Sequence, residues 1–276
     1  MSHANRRVLP GFSLSLGYTL FYLSVLVVLP ILACFSKAAS LTASQFWAAV
    51  WTERTRAAYA LTFGTSFVAA AVNVALGLLI AWVLVRYRFP GRRVMDALID
   101  LPLALPTAVG GLVYASLYVK KGWLGQYLVP LGIQAAYSRL AIVLVLVFIG
   151  LPFVVRTVQP VLEDLDAEAE EAAASLGATR WQSFYRVILP PLYPALLTGF
   201  ALAFARSLGE YGSVVFVSGN MPYKTEIAPV LIVARLEEFA YGEATAIAVV
   251  LLVISLALLV VINALDRWSR RSEAHA

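Results

Sequence analysis

Six long apolar stretches alternate with short polar ones along the chain. They lie at about 14–35, 59–85, 97–118, 140–160, 193–217 and 243–265, each near the ~20 residues that a helix needs to cross the hydrocarbon core of a bilayer. One polar interruption is longer than the rest. Leu162–Pro190 holds Glu163, Asp164, Asp166, Glu168, Glu170 and Glu171, six of the chain's 16 acids. So much charge between two spans belongs in water. Ala167–Leu176 is rich in alanine and glutamate, both strong helix formers. Gly177 follows, where a left-handed C-cap favours glycine. Thr179 and Gln182 then have the S/T-x-x-E/Q spacing of a capping box, which predicts a second helix. That helix is expected to stop before Pro190-Pro191, because proline lacks the N–H and disfavours helix in the residue before it. The pattern predicts a helix–turn–helix at a membrane face. It is either a lever that a soluble partner grips or a solvated linker.

Composition agrees with membrane residence. The 276 residues are 61% hydrophobic and 13% charged, with a mean hydropathy of +0.81, whereas soluble domains are roughly 45–50% apolar and about 25% charged. The one cysteine, Cys34, excludes a disulfide framework and a thiolate metal cluster. The two histidines, His3 and His275, sit at the termini, away from any buried catalytic group. The net charge of +5 fits the excess of Lys and Arg in cytoplasmic loops better than nucleic acid. Arg6-Arg7 precedes an apolar run, Leu14–Phe35, longer than the roughly 7–15 residues of a signal core, so a retained first span is expected.

An even number of spans puts both termini on one side. Placing them in the cytoplasm puts 12 of the 21 basic residues inside, including Arg86, Arg88, Arg92 and Arg93 of one tight loop and Arg267, Arg270 and Arg271 of the tail. In the first outer loop, Thr42 and Gln45 repeat the capping-box spacing, and Trp47 and Trp51 lie one turn apart. A short interfacial helix anchored by tryptophan is expected there. Asp96 and Asp100 open the third span; they are expected at the water boundary near a helix N-terminus, where acids are favourable, with a paired-carboxylate site as the alternative. Pro102, Pro106 and Gly110 follow closely, so this span is broken or kinked, as a gating bend or as a static kink. The fourth span is nearly all aliphatic and is expected to end at Pro152 and Arg156.

The fifth span carries Arg206-Ser207-Leu208-Gly209-Glu210. Arg206 is about a dozen residues from either end of the apolar stretch, where a charge costs at least about 2.5–3.5 kcal/mol and must face a partner or water. Glu210, four residues on, is one helical turn away. Two readings stay open: an internal ion pair that locks packing, or a cation presented to an anion in the pathway, with Ser207 supplying a small surface. Beyond this span, Ile227, Val230, Leu231 and Ala234 have helical spacing within 226–239. An amphipathic element is expected, either plugging the outer mouth or meeting a substrate-delivery protein.

Glu171-Ala172-Ala173, three residues, Gly177, nine residues, Val187, one residue, then Leu189-Pro190 resembles the EAA motif of ATP-binding-cassette (ABC) importer permeases, with Val187 where isoleucine is more common. The resemblance implies that Glu171, Ala172, Ala173, Gly177, Leu189 and Pro190 build cytoplasmic coupling helices that dock on an ATPase subunit. RYRFPGRR at Arg86–Arg93, DLPLALPTAVG at Asp100–Gly110 and RSLGEYGSVVFVSG at Arg206–Gly219, with Arg7–Gly17, Leu151–Leu165 and Gly177–Ser183, extend it over nearly the whole chain. There it is similar to the CysT-type permeases of sulfate/thiosulfate importers; the segment Lys120–Arg139 carries little of it.

This implies an all-α membrane protein of six transmembrane helices with the type I (MetI-like) importer fold. It also implies a complex with a sister permease of CysW type, a sulfate-transport ATPase dimer that holds the ATP and Mg, and a periplasmic sulfate/thiosulfate-binding protein, in a bacterial inner membrane. No G-x-x-x-x-G-K-[ST] occurs in the chain, so it carries no phosphate-cradling loop of its own and is expected to be a non-catalytic subunit without a cofactor. The organisation expected is a tail, first span and interfacial helix over 1–58, a five-helix core over 59–265 and a cytoplasmic tail over 266–276. The competing readings are a molybdate or tungstate permease of the same architecture, and a secondary anion transporter. The latter usually has two repeated halves, which this chain lacks. No nucleophile–base pair favours an enzyme.

Overall fold

A computed structural model describes residues 12–273, with Ser13 and residues 265–273 described by backbone alone. His3, Arg6, Arg7 and His275 lie outside the described residues, as do the side chains of Arg267, Arg270 and Arg271. Among the described residues every element is helical. Apolar runs in a bilayer leave the backbone no other way to satisfy its own polar groups short of a closed barrel.

The first span is α1 (Phe12–Leu23), a π-helical turn (Ser24–Val28) and α2 (Leu29–Ala39). The amphipathic α3 (Ala43–Val50) leads into α4 (Glu53–Arg86). The third membrane segment is in pieces: α5 (Arg92–Ile99), α6 (Leu101–Ala104) and α7 (Thr107–Tyr118). A loop with the single turn α8 (Gly125–Leu128) precedes α9 (Arg139–Glu163). Then come α10 (Ala167–Ser175), α11 (Arg180–Ser183), a π-helical turn (Phe184–Ile188) and α12 (Leu189–Leu208). The single turn α13 (Val214–Val217), α14 (Ala228–Glu237) and α15 (Tyr241–Glu273) complete the chain. Five helical stretches are long and apolar enough to span a membrane, and the broken segment is the sixth.

The core is the three-helix contact of α4, α9 and α12. Hydrocarbon tails are as apolar as leucine, so packing of small residues must replace the hydrophobic effect here. A Cβ added at Gly77 would lie 2.6 Å from Val154 Cγ1, and one at Gly199 2.6 Å from Thr157 Oγ1. Both glycines let the helix axes close. Helix α9 does not end at Pro152 and Arg156 as the prolines suggest; it runs past Pro152 and Pro160 to Glu163. Packed between α4 and α12, it keeps its course where an isolated helix would break. The first span leans on the bundle through α15 and exposes nearly all of its apolar surface.

The interfacial helix forms as spelled. Thr42 accepts from the Gln45 amide (3.3 Å), and the Gln45 side chain accepts from the Thr42 amide (3.0 Å). Ala49 and Val50 pack against Ala246. Trp47 and Trp51 stay exposed, edge to face at 6.3 Å, with the Arg56 guanidinium 5.7 Å from the Trp51 ring. Replacing both tryptophans with alanine is expected to lower membrane-inserted yield several-fold with little change in transport per inserted molecule. Quantifying inserted protein beside uptake checks this; a kinetic defect at normal yield contradicts an anchoring role.

Candidate functional site

The loop between α9 and α12 puts its acids in a short exposed helix. Asp166 caps α10, accepting from the Glu168 amide at 3.0 Å, and acids in the first turn complement the positive end of the helix dipole. The C-terminus closes in a Schellman motif: the Gly177 amide donates to the Ala174 carbonyl and the Ala178 amide to the Ala173 carbonyl, both at 3.0 Å. Gly177 has φ +82° with open space around it, so the backbone, not crowding, calls for glycine. Thr179 and Gln182 then form the expected capping box. Glu171 and Ala172 are exposed and Ala173 is half-buried. The Arg86 guanidinium at the end of α4 pairs with Glu170 and lies 5.2 Å from the Trp82 ring. These contacts fix α10 against the bundle.

The second helix does not stop at Pro190. The backbone widens into a π turn over Phe184–Ile188, and the Leu189 amide donates to the Phe184 carbonyl five residues back. Leu189, Pro190 and Pro191 are then the first residues of α12. The two prolines have no N–H to continue the helical ladder, and the wider π turn just before them carries the chain past that break. Leu189 and Pro190 are half-buried, and Trp82 meets Phe184 edge to face at 5.8 Å. The six residues thus fall into two groups: Glu171–Gly177 at the end of α10, and Leu189–Pro190 at the start of α12, joined through α11 and the π turn.

Beside the turn stands Leu176, 90% exposed, with Trp181 and Tyr185 also exposed. The sequence reading passed over Leu176. Its signal is a lone large apolar residue in the polar run Ala167–Thr179.

Asp96 is in the second half of α5, and Asp100 is both the C-cap of α5 and the N-cap residue of α6, without a side-chain capping bond. Both side chains are partly exposed. Both carboxylates face Arg156 of α9, at 2.7 Å each. Of the kink residues, Pro102 is buried in the first turn of α6, and Leu105-Pro106 is extended chain between α6 and α7. Gly110 has only the Phe148 ring nearby, at 3.9 Å. Its neighbour Gly111 makes the close approach: a Cβ there would lie 2.8 Å from Ser213 Cα.

Arg206 stands in the last turn of α12, which ends at Leu208 although the apolar stretch continues to Val217. The carbonyl end of a helix favours a cation. Its Nη1 pairs with Glu210 Oε2 at 2.7 Å. Glu210 is 2% exposed, and its Oε1 accepts from the Ser213 amide (2.9 Å) and hydroxyl (2.8 Å). The carboxylate is therefore held on three sides, whereas the Arg206 side chain remains 33% exposed. Ser207 is buried within this chain and donates to the Ala203 carbonyl at 2.8 Å. At the far end, Glu226 holds Arg54 in a two-bond fork (2.6 and 2.8 Å). Ala228, Pro229, Val230 and Leu231 of α14 are buried, with Ala228 and Leu231 packed beside Tyr59 and Ile247. The amphipathic element thus turns its apolar face onto its own bundle. Among the described residues no group of three or more acids, histidines or cysteines is placed to hold a metal.

A family model described as "Binding-protein-dependent transport system inner membrane component" matches residues 73–274. The chain belongs to this family. The sulfate transport system permease protein CysT of Escherichia coli (strain K12) is 50% identical over 273 residues, covering 99% of both chains. That of Synechocystis sp. is 54% identical over 253 residues, 92% of this chain and 88% of its own. Among solved structures, a bacterial ABC transporter involved in import of the acidic polysaccharide alginate superposes with a TM-score of 0.76 at 16% identity, over 93% of this chain and 94% of that one. The MetNI methionine ABC transporter gives 0.55 at 18% identity, over 84% and 99%. At these identities the likeness concerns the fold, and it is the type I importer fold that the sequence led one to expect. This member of the binding-protein-dependent family is a membrane-spanning permease with the α10–α11 turn at one end of the bundle and α3 and α14 at the other.

Proposed function

We propose that this chain is a permease subunit through which an ABC importer moves sulfate, and thiosulfate, into the cytoplasm. The carrying observation is the 50% identity to an E. coli sulfate permease over 99% of both chains. In this reading the α10–α11 turn and both termini are cytoplasmic, the membrane is the bacterial inner membrane, and the partners are a CysW-type permease, an ATPase dimer holding ATP and Mg, and a periplasmic binding protein. The core spans 59–265, with 1–58 and 266–276 as flanking segments.

The geometry supports the following roles within this reading. Glu171–Gly177 with Leu176 docks on the ATPase, because an exposed leucine on a rigid, capped turn is a knob in search of a groove. Leu189–Pro190 carries the movement into α12. The extended break at Leu105-Pro106 lets the third segment bend. Arg206 presents its remaining N–H groups to the anion while Glu210 fixes its position. Competition tests the substrate assignment. Uptake of labelled sulfate by vesicles holding the complex is expected to be suppressed by excess thiosulfate and to resist excess molybdate. Suppression by molybdate instead moves the assignment to the molybdate and tungstate permeases.

A further inference from the structure

Asp96 stands in the second half of α5, and Asp100 at the junction of α5 and α6. Arg156 compensates them with its entire donor set. Nε donates to Asp100 Oδ1 (3.0 Å) and Nη2 to Asp100 Oδ2 (2.7 Å). Nη1 donates to Asp96 Oδ1 (2.7 Å) and Gln159 Oε1 (2.9 Å), and Nη2 also to the Asp96 carbonyl (2.9 Å). All five N–H groups of the guanidinium are used, in a planar fork that lysine cannot copy. Arg156 lies two turns before Glu163, where α9 gives way to the exposed turn.

The gripped segment reaches the pathway residues at its other end. Past Leu105-Pro106, α7 lays Gly111 against Ser213, and a Cβ on Gly212 would strike Thr107. The Ser213 amide and hydroxyl are bound to Glu210, which pairs with Arg206. Covalent chain and close contacts run without a gap from α9 through the third segment to Arg206.

We infer that Arg156 is a positioning residue that makes the third segment move with the coupling end, so that ATPase closure reaches the Arg206–Glu210 pair. This rests on the proposed function. A packed element with two discrete arrangements can carry such coupling, and the evidence for it must be a coupling measurement, not adjacency. The measurement is sulfate taken up per ATP hydrolysed, in proteoliposomes holding the full importer complex.

Arg156→Gln is expected to assemble and hydrolyse ATP within about twofold of the wild type, while uptake per ATP falls at least about tenfold, within the usual range of coupling between sites. Arg156→Lys, with charge but no fork, is expected to recover part of that ratio. If Arg156→Gln fails to insert, Asp96→Ala with Asp100→Ala removes both carboxylate acceptors and leaves the arginine, and the same fall in ratio is expected. Uptake and hydrolysis that fall in equal proportion, or an unchanged ratio, overturn the inference and leave Arg156 a packing residue. A wild-type complex without ATP-driven sulfate uptake overturns the proposed function instead, so the two failures are distinct.

Discussion

Replacing Glu171 with lysine, or Gly177 with aspartate, abolishes sulfate uptake while the protein stays in the membrane at normal amount. The expectation rests on how little either residue does for this chain's own fold. Glu171 is exposed, and among the described contacts its carboxylate has no hydrogen bond. Surface substitutions of this kind usually change stability by less than about 0.5 kcal/mol. Gly177 holds a left-handed conformation in open space, and a non-glycine residue there costs roughly 1–3 kcal/mol, the lower end applying to Asp and Asn. Such a cost leaves a packed bundle standing, but it unsettles the turn that presents Leu176. A loss of transport far larger than these costs therefore reports a missing contact to another subunit. Inserted protein, co-purified ATPase and uptake are measured together. Normal uptake by either variant removes the docking role from the turn.

The second large effect concerns the ion pair. Arg206→Ala is expected to cost transport about tenfold or more, the equivalent of one charge-assisted hydrogen bond to the anion. It also leaves Glu210, buried and still bound to Ser213, without its cation, a penalty of about 3 kcal/mol for a buried charge deprived of its partner. Arg206→Ala combined with Glu210→Ala separates the two contributions. The double variant has no orphaned carboxylate, so its inserted yield is expected to recover while its uptake stays low. Recovery of uptake as well makes Arg206 a packing residue and removes it from the pathway.

What the sequence made legible follows the range of the interaction. Both capping boxes, Thr42 with Gln45 and Thr179 with Gln182, formed as read, because their partners are three residues apart and need nothing else. Gly177 was legible for the same reason, as was the break in the third segment, where Leu105-Pro106 is extended backbone. Long-range partners were hidden. Arg156 reaches Asp96 and Asp100 across 60 and 56 residues, so nothing near either carboxylate in the chain announces the arginine that holds it. Gly110 and Gly111 read alike in the sequence, yet Gly111 alone bears the close contact, because one step around a helix changes the facing neighbour by about 100°. The π turn at Phe184–Ile188 also left no local signal, and without it Pro190-Pro191 read as a stop. The apolar run did not disclose the helix end beside Arg206, since the chain leaves its helix at Gly209 while the run continues to Val217.

The central claim is that transport through this chain is driven by another subunit. The direct measurement is uptake of labelled sulfate by sealed vesicles containing the chain and its partners, with ATP supplied or withheld. The account predicts uptake with ATP and a background level without it. Equal uptake in both conditions contradicts energy coupling and makes the chain a secondary anion transporter.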